Sequence, residues 1–422
     1  MAKTLIYKFG GASVKDSTAV RNLTEILRNR LRNSMVIVVS AMGKITNSLE
    51  EILSLKISNK DFSENSAKIK DFHFQICKEL FPENHTVFAQ LDNLFFQLNK
   101  DLERTLTREN YDEFYDRIVS FGELISSKIV AEFLCHQGLI VLWQDAREVI
   151  HTNSDFRFAK IDWAKTRKSC QSIWKPMLEN FPILTQGFIG SDDKKRTTTL
   201  GREGSDFTAA ILSTSLDAGS VTIWKDVPGV LNADPKIFPN TKKFEELGYR
   251  EAAEMTYFGA SVIHPKTIKP LANAGIPLFV KSFLDPEASG TKIHENAPVH
   301  SIPTIVLKRD QILVSFKVTD FTFIEEQHIH TIYEQLKSLK LRVNMLQLSA
   351  ISVSLVIDSQ LFKLENLLDK LKDQFEIRYN EGLELLTVLH PRMDEISTLQ
   401  EGYEVLLEQA TRNTFQAVRR KS

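Results

Sequence analysis

The segment Lys8-Phe9-Gly10-Gly11, close to the N-terminus, has residue types suited to holding a phosphate. The apolar run at 4–9 predicts a strand, and the residues after the glycines predict a helix. Backbone N–H groups at such a helix N-terminus attract anions, and glycine lets a phosphate approach closely. Lys8 adds a full positive charge. Because the segment is neither a Walker A motif nor GxGxxG, a tight strand-to-helix turn with a snorkelling lysine remains the alternative.

A second segment, 194–212, has the composition of another anion-binding loop. Hydroxyl side chains come before Arg202, whose planar guanidinium suits a carboxylate or a phosphate. Ser205 or Asp206 can then cap the apolar helix that follows. Two such loops in one chain favour phosphate chemistry, whereas a polar turn before a helix is the simpler alternative.

Glu123 lies on a predicted helix, about 200° around the axis from Phe121 and therefore off the apolar stripe. It could pair with an ammonium group or face solvent. Gly122 beside it costs about 1 kcal/mol relative to alanine unless another group approaches closely there.

Two more loops, 38–47 and 224–236, place polar groups after apolar strands. The second loop suits a nucleotide, although two β-turns also explain it. No Ser/His/Asp set and no metal-ligand cluster stands out in the sequence.

The elements that would position these residues alternate between strands and helices. Apolar residues that recur every three or four positions predict a helix over 111–136. Short apolar runs rich in β-branched residues predict buried strands at 4–9, 35–41, 139–143, 183–189, 220–224 and 276–282. The alternation indicates the α/β class, with a three-layer α/β/α sandwich around a mainly parallel sheet. In such sheets ligands bind beyond the carboxyl ends of the strands.

The rest of the chain divides into a helical excursion, a linker and a tail. Residues 56–110 are polar, charged and helical in pattern, so we expect them to leave the sheet as a lobe. A shift toward Pro, Gly, Ser and His at 285–304 predicts a linker between domains at 1–290 and 305–422. The tail begins with a βαββαβ pattern, which is a ferredoxin-like module. Half of a second copy follows, predicted as strand 382–389, helix 395–410 and strand 414–419.

The composition excludes several classes of protein. Lys plus Arg (53) nearly balances Asp plus Glu (54), and a net charge of −1 gives no electrostatic reason to expect nucleic acid or an anionic membrane as partner. The three cysteines form no CxxC pair, which argues against a disulfide framework or a zinc site. No signal segment and no apolar run of about 20 residues is found. We therefore expect a soluble cytoplasmic protein.

Five motifs together resemble one family. KFGGASV, SFGE, TTTLGREGSDFTAA, IWKDVPGVLNADP and FGASVIHPKT occur in the order and spacing of the aspartate kinases (aspartokinases). The resemblance covers essentially the whole chain. By this resemblance, the first 290 or so residues look like the amino-acid-kinase catalytic domain, and the remainder looks like its C-terminal ACT regulatory region.

The resemblance implies an activity and its cofactors. The expected reaction is transfer of a phosphoryl group from MgATP to the β-carboxylate of L-aspartate, giving 4-phospho-L-aspartate on the route to lysine, threonine and methionine. The Mg²⁺ ion would be bound through the nucleotide phosphates, and the chain would form a homodimer through the ACT region. Phosphoryl transfer depends mainly on positioning and charge neutralisation, which fits the absence of a nucleophile motif.

By motif position, the resemblance also implies roles for single residues. Lys8 and Asp206 would be catalytic, with Lys8 neutralising the transferred phosphate and Asp206 organising the lysines. Glu123 would hold the substrate's ammonium group and Arg202 its α-carboxylate. The implied substrate-binding residues are Ser40, Thr46, Glu123, Arg202 and Ser205. The implied nucleotide-binding residues are Lys8, Gly10, Gly11, Lys225, Asp226, Leu231, Lys236 and Ser261.

The chain departs from the aspartate kinase pattern at several positions. Glu203 replaces the glycine after the arginine of GRGGSD and adds negative charge beside the substrate loop. Ser261 replaces a lysine that meets ATP in many relatives, while Leu231 and Lys236 replace a tyrosine and an arginine. The loop 319–328 lacks a glycine often found beside bound amino-acid effectors. We therefore expect weak or absent feedback inhibition.

Two alternatives remain. A related amino-acid kinase acting on glutamate, N-acetylglutamate or UMP would share the fold, but the SFGE and LGREGSDFTAA motifs and the ACT tail argue against it. A catalytically inactive amino-acid sensor would keep the ACT module, but it would not need Lys8, Glu123, Arg202 and Asp206, all of which are present.

Overall fold

The structure is a computed structural model that describes residues 3–260, 262–319 and 322–422. The described residues fall into two compact units. The first unit comprises the described parts of Met1–Val230, Lys243–Ala253 and Val262–Val299. The second comprises those of Leu231–Lys242, Glu254–Ser261 and His300–Ser422. The last segment of the first unit ends at Val299, and the last segment of the second unit begins at His300. This boundary lies within the segment predicted as a linker.

The first unit alternates strands with helices. Its described strands are β1 (Leu5–Phe9), β2 (Met35–Val39), β3 (Leu142–Trp143), β4 (Ile183–Gln186), β5 (Ile189–Ser191), β6 (Thr197–Thr199), β7 (Ser220–Lys225), β8 (Glu246–Gly248), β9 (Leu278–Ser282) and β10 (Thr291–His294). The helices up to residue 274 are α1 (Ser17–Arg28), α2 (Ile45–Ile57), α3 (Ser63–Leu80), α4 (Val87–Leu102), α5 (Tyr111–His136), α6 (Trp163–Ser169), α7 (Lys175–Met177), α8 (Gly204–Ser215), α9 (Tyr249–Phe258) and α10 (Pro265–Ala274). Helix α9 begins in the first unit and ends in the second.

Eight of these strands form one sheet, in the order β3-β4-β2-β1-β7-β9-β10-β8. Among the described strands of this sheet, neighbours run parallel except for β9 and β10. Every residue of β2 is buried, as expected for a strand that is covered on both faces. The predicted α/β sandwich with a mainly parallel sheet is confirmed.

The strand predicted over 183–189 is wrong, because the chain turns within it. Strand β4 ends at Gln186, and β5 pairs with β6 in a separate antiparallel hairpin. Gly187 packs so closely on α8 that a Cβ there would lie 2.4 Å from the Cβ of Ser205. Phe188 then adopts a left-handed φ of +70°, which ends the extended backbone. The strand predicted at 139–143 is also shorter than expected, since β3 has only two residues.

Helices α3 and α4 occupy the segment predicted as a helical excursion. Their buried apolar side chains include Ile76, Leu91 and Phe95. The ring of His73 lies beside that of Phe95, and its Nδ1 is 2.8 Å from the carbonyl oxygen of Ile69. Burial lowers the pKa of His73 to about 4, so the ring is neutral at physiological pH.

The second unit contains a six-stranded antiparallel sheet in the order β12-β13-β11-β14-β16-β15. Its strands are β11 (Thr304–Val318), β12 (Val343–Leu348), β13 (Ser352–Asp358), β14 (Phe375–Leu389), β15 (Tyr403–Ala410) and β16 (Thr414–Lys421). Its remaining helices are α11 (Glu326–Ser338), α12 (Leu361–Leu371) and α13 (Met393–Gln400). The antiparallel C-terminal region confirms the fold class expected for an ACT region.

Two modules share the long strands β11 and β14. The first module follows the predicted βαββαβ order, with the second half of β11, then α11, β12, β13, α12 and the first half of β14. Asp310, at φ +53°, marks an irregularity in β11 where the pairing register shifts. The second module uses residues 304–308 of β11, residues 383–389 of β14, and then α13, β15 and β16.

The helix predicted over 395–410 is wrong in its second half. Helix α13 ends at Gln400, Gly402 turns the chain at φ +78°, and β15 follows. The described second module thus has four strands and one helix. Two residues of the 319–328 loop, Asp320 and Phe321, lie outside the described residues, and weak feedback inhibition stays a prediction. Across the described segments, no helix is both long enough and apolar enough to cross a membrane.

Candidate active site

The candidate active site is a cavity of about 520 Å³ at the carboxyl ends of β1, β2 and β7, in the first unit. Ligands bind at this edge of mainly parallel sheets because the loops leaving neighbouring strands meet there. The cavity wall brings together residues from distant parts of the sequence. Nine of the predicted site residues line it, namely Lys8, Gly11, Ser40, Thr46, Glu123, Arg202, Ser205, Asp206 and Lys225.

Lys8 comes from the middle of the sheet. It is in register with Val38 of β2 on one side and Ile223 of β7 on the other. Its exposed fraction is only 6%. A lysine buried to this degree needs an anionic partner, because an isolated buried charge is very costly.

The glycines after β1 allow two loops to meet. A Cβ on Gly11 would lie 2.9 Å from the carbonyl oxygen of Gly43 and 3.0 Å from that of Ala41. Only glycine therefore lets the loop after β1 pack against the loop after β2. Gly10 lies beside the Nζ of Lys8, and Asp16 caps α1 by accepting a hydrogen bond from the backbone of its first turn.

Asp206 joins two lysines in the interior of the site. Its Oδ1 lies 2.7 Å from the Nζ of Lys8, and its Oδ2 lies 3.2 Å from the Nζ of Lys225. Burial would raise the pKa of Asp206, but the two ammonium groups outweigh that effect and hold its pKa below the ordinary value of 3.8. The carboxylate is therefore ionised. Lys225 also donates a hydrogen bond to the carbonyl oxygen of Val262.

Helix α8 presents its N-terminus to the same wall. Glu203 occupies the N-cap with a left-handed φ of +54°, and its side chain makes no capping hydrogen bond. The prediction that Ser205 or Asp206 caps this helix is wrong, because both lie inside its first turn. Asp206 is directed at the lysines instead. The helix dipole adds to their positive potential.

Glu123 is buried, so the interpretation of a solvated helix face is wrong. Helix α5 packs on the loop after β2, where the backbone N–H of Ala41 donates to Oε1 of Glu123 at 3.3 Å. Gly122 permits this approach, since a Cβ there would lie 3.0 Å from the Cβ of Ala41. Oε2 of Glu123 has no hydrogen-bond partner among the described residues. Burial raises the pKa of Glu123 to about 8, against the opposing effects of the Ala41 N–H and Lys8.

The other predicted substrate-binding residues are also on the wall. Arg202 is exposed, and Ser205 follows it in the first turn of α8. Ser40 comes directly after β2, and its carbonyl oxygen accepts a hydrogen bond of 2.7 Å from the hydroxyl of Ser126. Thr46 lies in the first turn of α2. Polar groups of different charge therefore face one space.

Several residues that sequence reasoning missed also line the cavity, among them Glu50, Tyr115, Arg157 and Phe188. The Tyr115 hydroxyl donates to Oε1 of Glu50 at 2.5 Å, and the Arg157 guanidinium lies 4.4 Å from the centre of the Tyr115 ring. Arg157 and Phe188 have φ of +69° and +70°, so both are in the left-handed region, as is Glu203. Strained backbone of this kind clusters at functional sites. No sequence signal marks left-handed arginine or phenylalanine.

Some predicted nucleotide-binding residues are not brought to this cavity. Asp226 follows Lys225 but is exposed and does not line the wall. Leu231 and Lys236 belong to the second unit, and Ser261 lies outside the described residues. Their contacts with a nucleotide stay predictions.

The chemistry of the wall suits a small amino acid beside a polyanion. Two lysines, a guanidinium and a helix N-terminus attract phosphates and carboxylates, whereas the buried Glu123 attracts an ammonium group. In the part of the chain that the structure describes, no group of three or more His, Cys, Asp or Glu side chains is placed to hold a metal ion.

Comparison with known proteins places these observations in one family. Residues 3–282 match the model of the amino acid kinase family. The chain is 32% identical to lysine-sensitive aspartokinase 3 of Escherichia coli (strain K12), over 92% of this chain and 87% of that protein. It is 30% identical to the chloroplastic aspartokinase 1 of Arabidopsis thaliana, over 96% of this chain and 73% of that protein.

A solved structure agrees with the sequence comparisons. The crystal structure of E. coli aspartokinase III in complex with aspartate and ADP, in its R-state, has a TM-score of 0.83 to this chain. The two share 28% sequence identity, and the match covers 99% of this chain and 96% of that one.

We predict that Asp206→Asn lowers the free energy of unfolding by about 3 kcal/mol at pH 7, because it leaves two lysines without their buried counterion. The pKa of Asp206 is depressed, so its stabilisation is present above the ordinary value of 3.8 and is lost as pH falls through the lower folded value. Urea unfolding of both proteins from pH 7 to pH 3 would measure the difference, which should shrink in acid.

Asp226→Asn is the matched control, because this aspartate is exposed and directly follows Lys225, the last residue of β7. Its unfolding free energy should stay within about 0.5 kcal/mol of the unmodified protein. Equal stability of the two variants would contradict a structural role for the Asp206 ion pairs.

Proposed function

The chain belongs to the aspartokinases of the amino acid kinase family and is a kinase that acts on aspartate, and from this premise we propose how its cavity works. The γ-phosphoryl group of MgATP is transferred to the β-carboxylate of L-aspartate, giving 4-phospho-L-aspartate. This product leads to lysine, threonine and methionine. We also propose a cytoplasmic location, since the cysteines and charge balance suit a reducing aqueous compartment.

The pairing of Asp206 with Lys8 and Lys225 carries the assignment. Phosphoryl transfer brings a polyanion and a carboxylate together, and their mutual repulsion must be neutralised. Two lysines held by one carboxylate supply that charge at fixed positions. Asp206 holds the two ammonium groups in place before the nucleotide binds. An arriving phosphate can then accept hydrogen bonds from both lysines without having to position them. Preorganised charge of this kind is effective in a water-poor site.

Glu123 and Arg202 orient the amino acid. The unpaired Oε2 of Glu123 accepts from the α-ammonium group, and Arg202 pairs with the α-carboxylate. Anchoring both ends of the amino-acid backbone leaves the β-carboxylate as the group directed at the phosphate. Ser40, Thr46 and Ser205 add hydrogen bonds around it. The similar E. coli structure is in complex with aspartate and ADP, which supports a site for an amino acid and a nucleotide in this chain.

Mg²⁺ would accompany the nucleotide. When bound, it neutralises negative charge on the phosphate oxygens. The residues of this cavity fit such an ion, because Oε2 of Glu203 is a buried carboxylate oxygen without a hydrogen-bond partner among the described residues. Carboxylate and phosphate oxygens are the ligands that Mg²⁺ prefers.

We predict that the purified protein releases ADP in the presence of aspartate. Lys8→Ala should lower kcat by about two to three orders of magnitude, which is the usual effect of removing one hydrogen-bond donor that stabilises the transition-state charge. A coupled ADP-release assay with aspartate, glutamate, N-acetylglutamate and UMP would measure both. Lys60→Ala is the control, because this lysine is exposed outside the cavity. Turnover unaffected by Lys8→Ala would refute the mechanism, and absence of any turnover would favour the inactive sensor.

We predict that kcat/KM for aspartate rises with pH up to about 8. A protonated Glu123 cannot hold the ammonium group, so each pH unit below its raised pKa should cost up to about tenfold. Glu123→Gln should bind aspartate more weakly and lose this rise, whereas Glu132→Gln, on the same helix but off the cavity wall, should keep it. A profile that is flat from pH 6 to 8 in the unmodified enzyme would contradict the role of Glu123.

We predict a homodimer that forms through the second unit. Strand β12 is an edge of its sheet, and Leu348 at its end and Ile351 beyond it are 49% and 42% exposed. Unpaired edges next to apolar groups favour association. Light scattering should give twice the chain mass, and Leu348→Asp with Ile351→Asp should give monomers. The control Leu284→Asp changes an exposed leucine of the first unit. A monomeric unmodified protein would refute the proposal.

A further inference from the structure

Glu203 is the residue of the cavity that the aspartate kinase pattern does not explain. Where that pattern has glycine, this chain places a carboxylate at the N-cap of α8. Its φ of +54° is a conformation that glycine adopts freely and glutamate rarely. The backbone is nevertheless held there, because the carbonyl oxygen of Glu203 accepts hydrogen bonds from the N–H groups of Asp206 and Phe207 at 3.1 and 3.2 Å.

The side chain of Glu203 lies among the charges of the phosphate-binding wall. The groups that interact with it electrostatically are the cations Lys225, Lys8 and Arg202 and the anion Asp206. Yet Oε2 of Glu203 is buried and makes no hydrogen bond to any described residue. A buried carboxylate oxygen without a partner indicates a ligand that arrives later.

The approach of a nucleotide makes this arrangement unfavourable unless a cation comes with it. The phosphates would take hydrogen bonds from Lys8 and Lys225, and an ionised Glu203 beside them would repel the same phosphates. A divalent cation reverses the sign of this interaction, because it binds carboxylate and phosphate oxygens together. Asp206 is less suited to this task, since both of its oxygens face lysines.

We propose that Glu203 is a protein ligand for the divalent cation that the nucleotide carries into the site. The inference rests on the proposed function, because it requires the nucleotide phosphates to lie at this wall. It gives the chain a metal ligand from the protein, in addition to the phosphate oxygens. The ion would then be bound more tightly, and the nucleotide would depend on the ion more strongly, than in a protein with glycine at this position.

Binding measurements with Mn²⁺ and ADP test the proposal without turnover. Free Mn²⁺ would be followed by electron paramagnetic resonance in the presence of the full-length protein and ADP. Glu203→Gln keeps the size of the side chain, and Glu203→Gly restores the residue of the family pattern and relieves the backbone. Both variants should weaken Mn²⁺ binding to the ADP complex about tenfold. Glu83→Gln, which changes an exposed carboxylate outside the cavity, should leave Mn²⁺ binding unchanged.

A second measurement separates metal binding from simple repulsion. Without metal, in EDTA, Glu203→Gln should bind ADP more tightly than the unmodified protein, because a negative charge is removed. With saturating Mn²⁺, Glu203→Gln should bind ADP more weakly than the unmodified protein does. If both variants keep the Mn²⁺ affinity within twofold, or if Glu203→Gln tightens ADP binding equally with and without metal, Glu203 is only an electrostatic obstacle and the proposal is wrong.

The two failures can be told apart. Aspartate-dependent turnover by the unmodified protein, together with unchanged Mn²⁺ affinity in both variants, would overturn the role of Glu203 alone. Absence of any Mn²⁺ and ADP binding to the unmodified protein would overturn the proposed function, and the role of Glu203 with it. Thermal unfolding of each variant identifies a loss of binding that is due to misfolding, and agreement of Glu203→Gln with Glu203→Gly excludes an effect of backbone strain.

Discussion

The ion pairs of Asp206 with Lys8 and Lys225 are the interaction on which the site depends. Three charged groups lie together in a largely buried position. The cost of removing them from water is offset because each lies within 3.2 Å of an opposite charge. The arrangement exists because β1 and β7 are neighbours in the sheet and α8 begins beside their carboxyl ends. Two cations against one anion leave an excess positive charge, and this excess is what makes the position attractive to a phosphate.

The order of the strands explains why the remaining groups converge. Strand β2 lies on the other side of β1, so the loop at Ala41 and Gly43 meets the glycine turn at Gly11. Helix α5 crosses this loop at Gly122 and thereby brings Glu123 into the same space. Each contact requires a residue without a side chain at the crossing point. The positions of the charges therefore follow from close backbone packing as much as from the charged residues themselves.

The sequence was informative where a local pattern dictates structure, and uninformative where distant segments decide it. Helix α5 followed from apolar periodicity, and the central strands followed from short apolar runs rich in β-branched residues. The place of Lys8 between a strand and two glycines indicated a phosphate-binding role, which stays a prediction. The burial of Glu123 could not be predicted from a local pattern, because it depends on which loop α5 crosses. The turn at Phe188, the strand after Gln400 and the left-handed Arg157 were missed for the same reason. The roles carried over from the family remain predictions for all of the site residues, and for Leu231, Lys236 and Ser261 the cavity of the first unit adds no support.

Glu203 changes the charge balance that the rest of the site establishes. Lys8, Lys225 and Arg202 face Asp206 and Glu203, so three cations stand against two carboxylates when all are ionised. With glycine in place of Glu203, two positive charges would be in excess instead of one. The triphosphate of ATP carries several negative charges, and this wall alone neutralises fewer of them than the glycine version would. The missing positive charge must come with the nucleotide, and a divalent cation held partly by Glu203 supplies it at the place where it is needed.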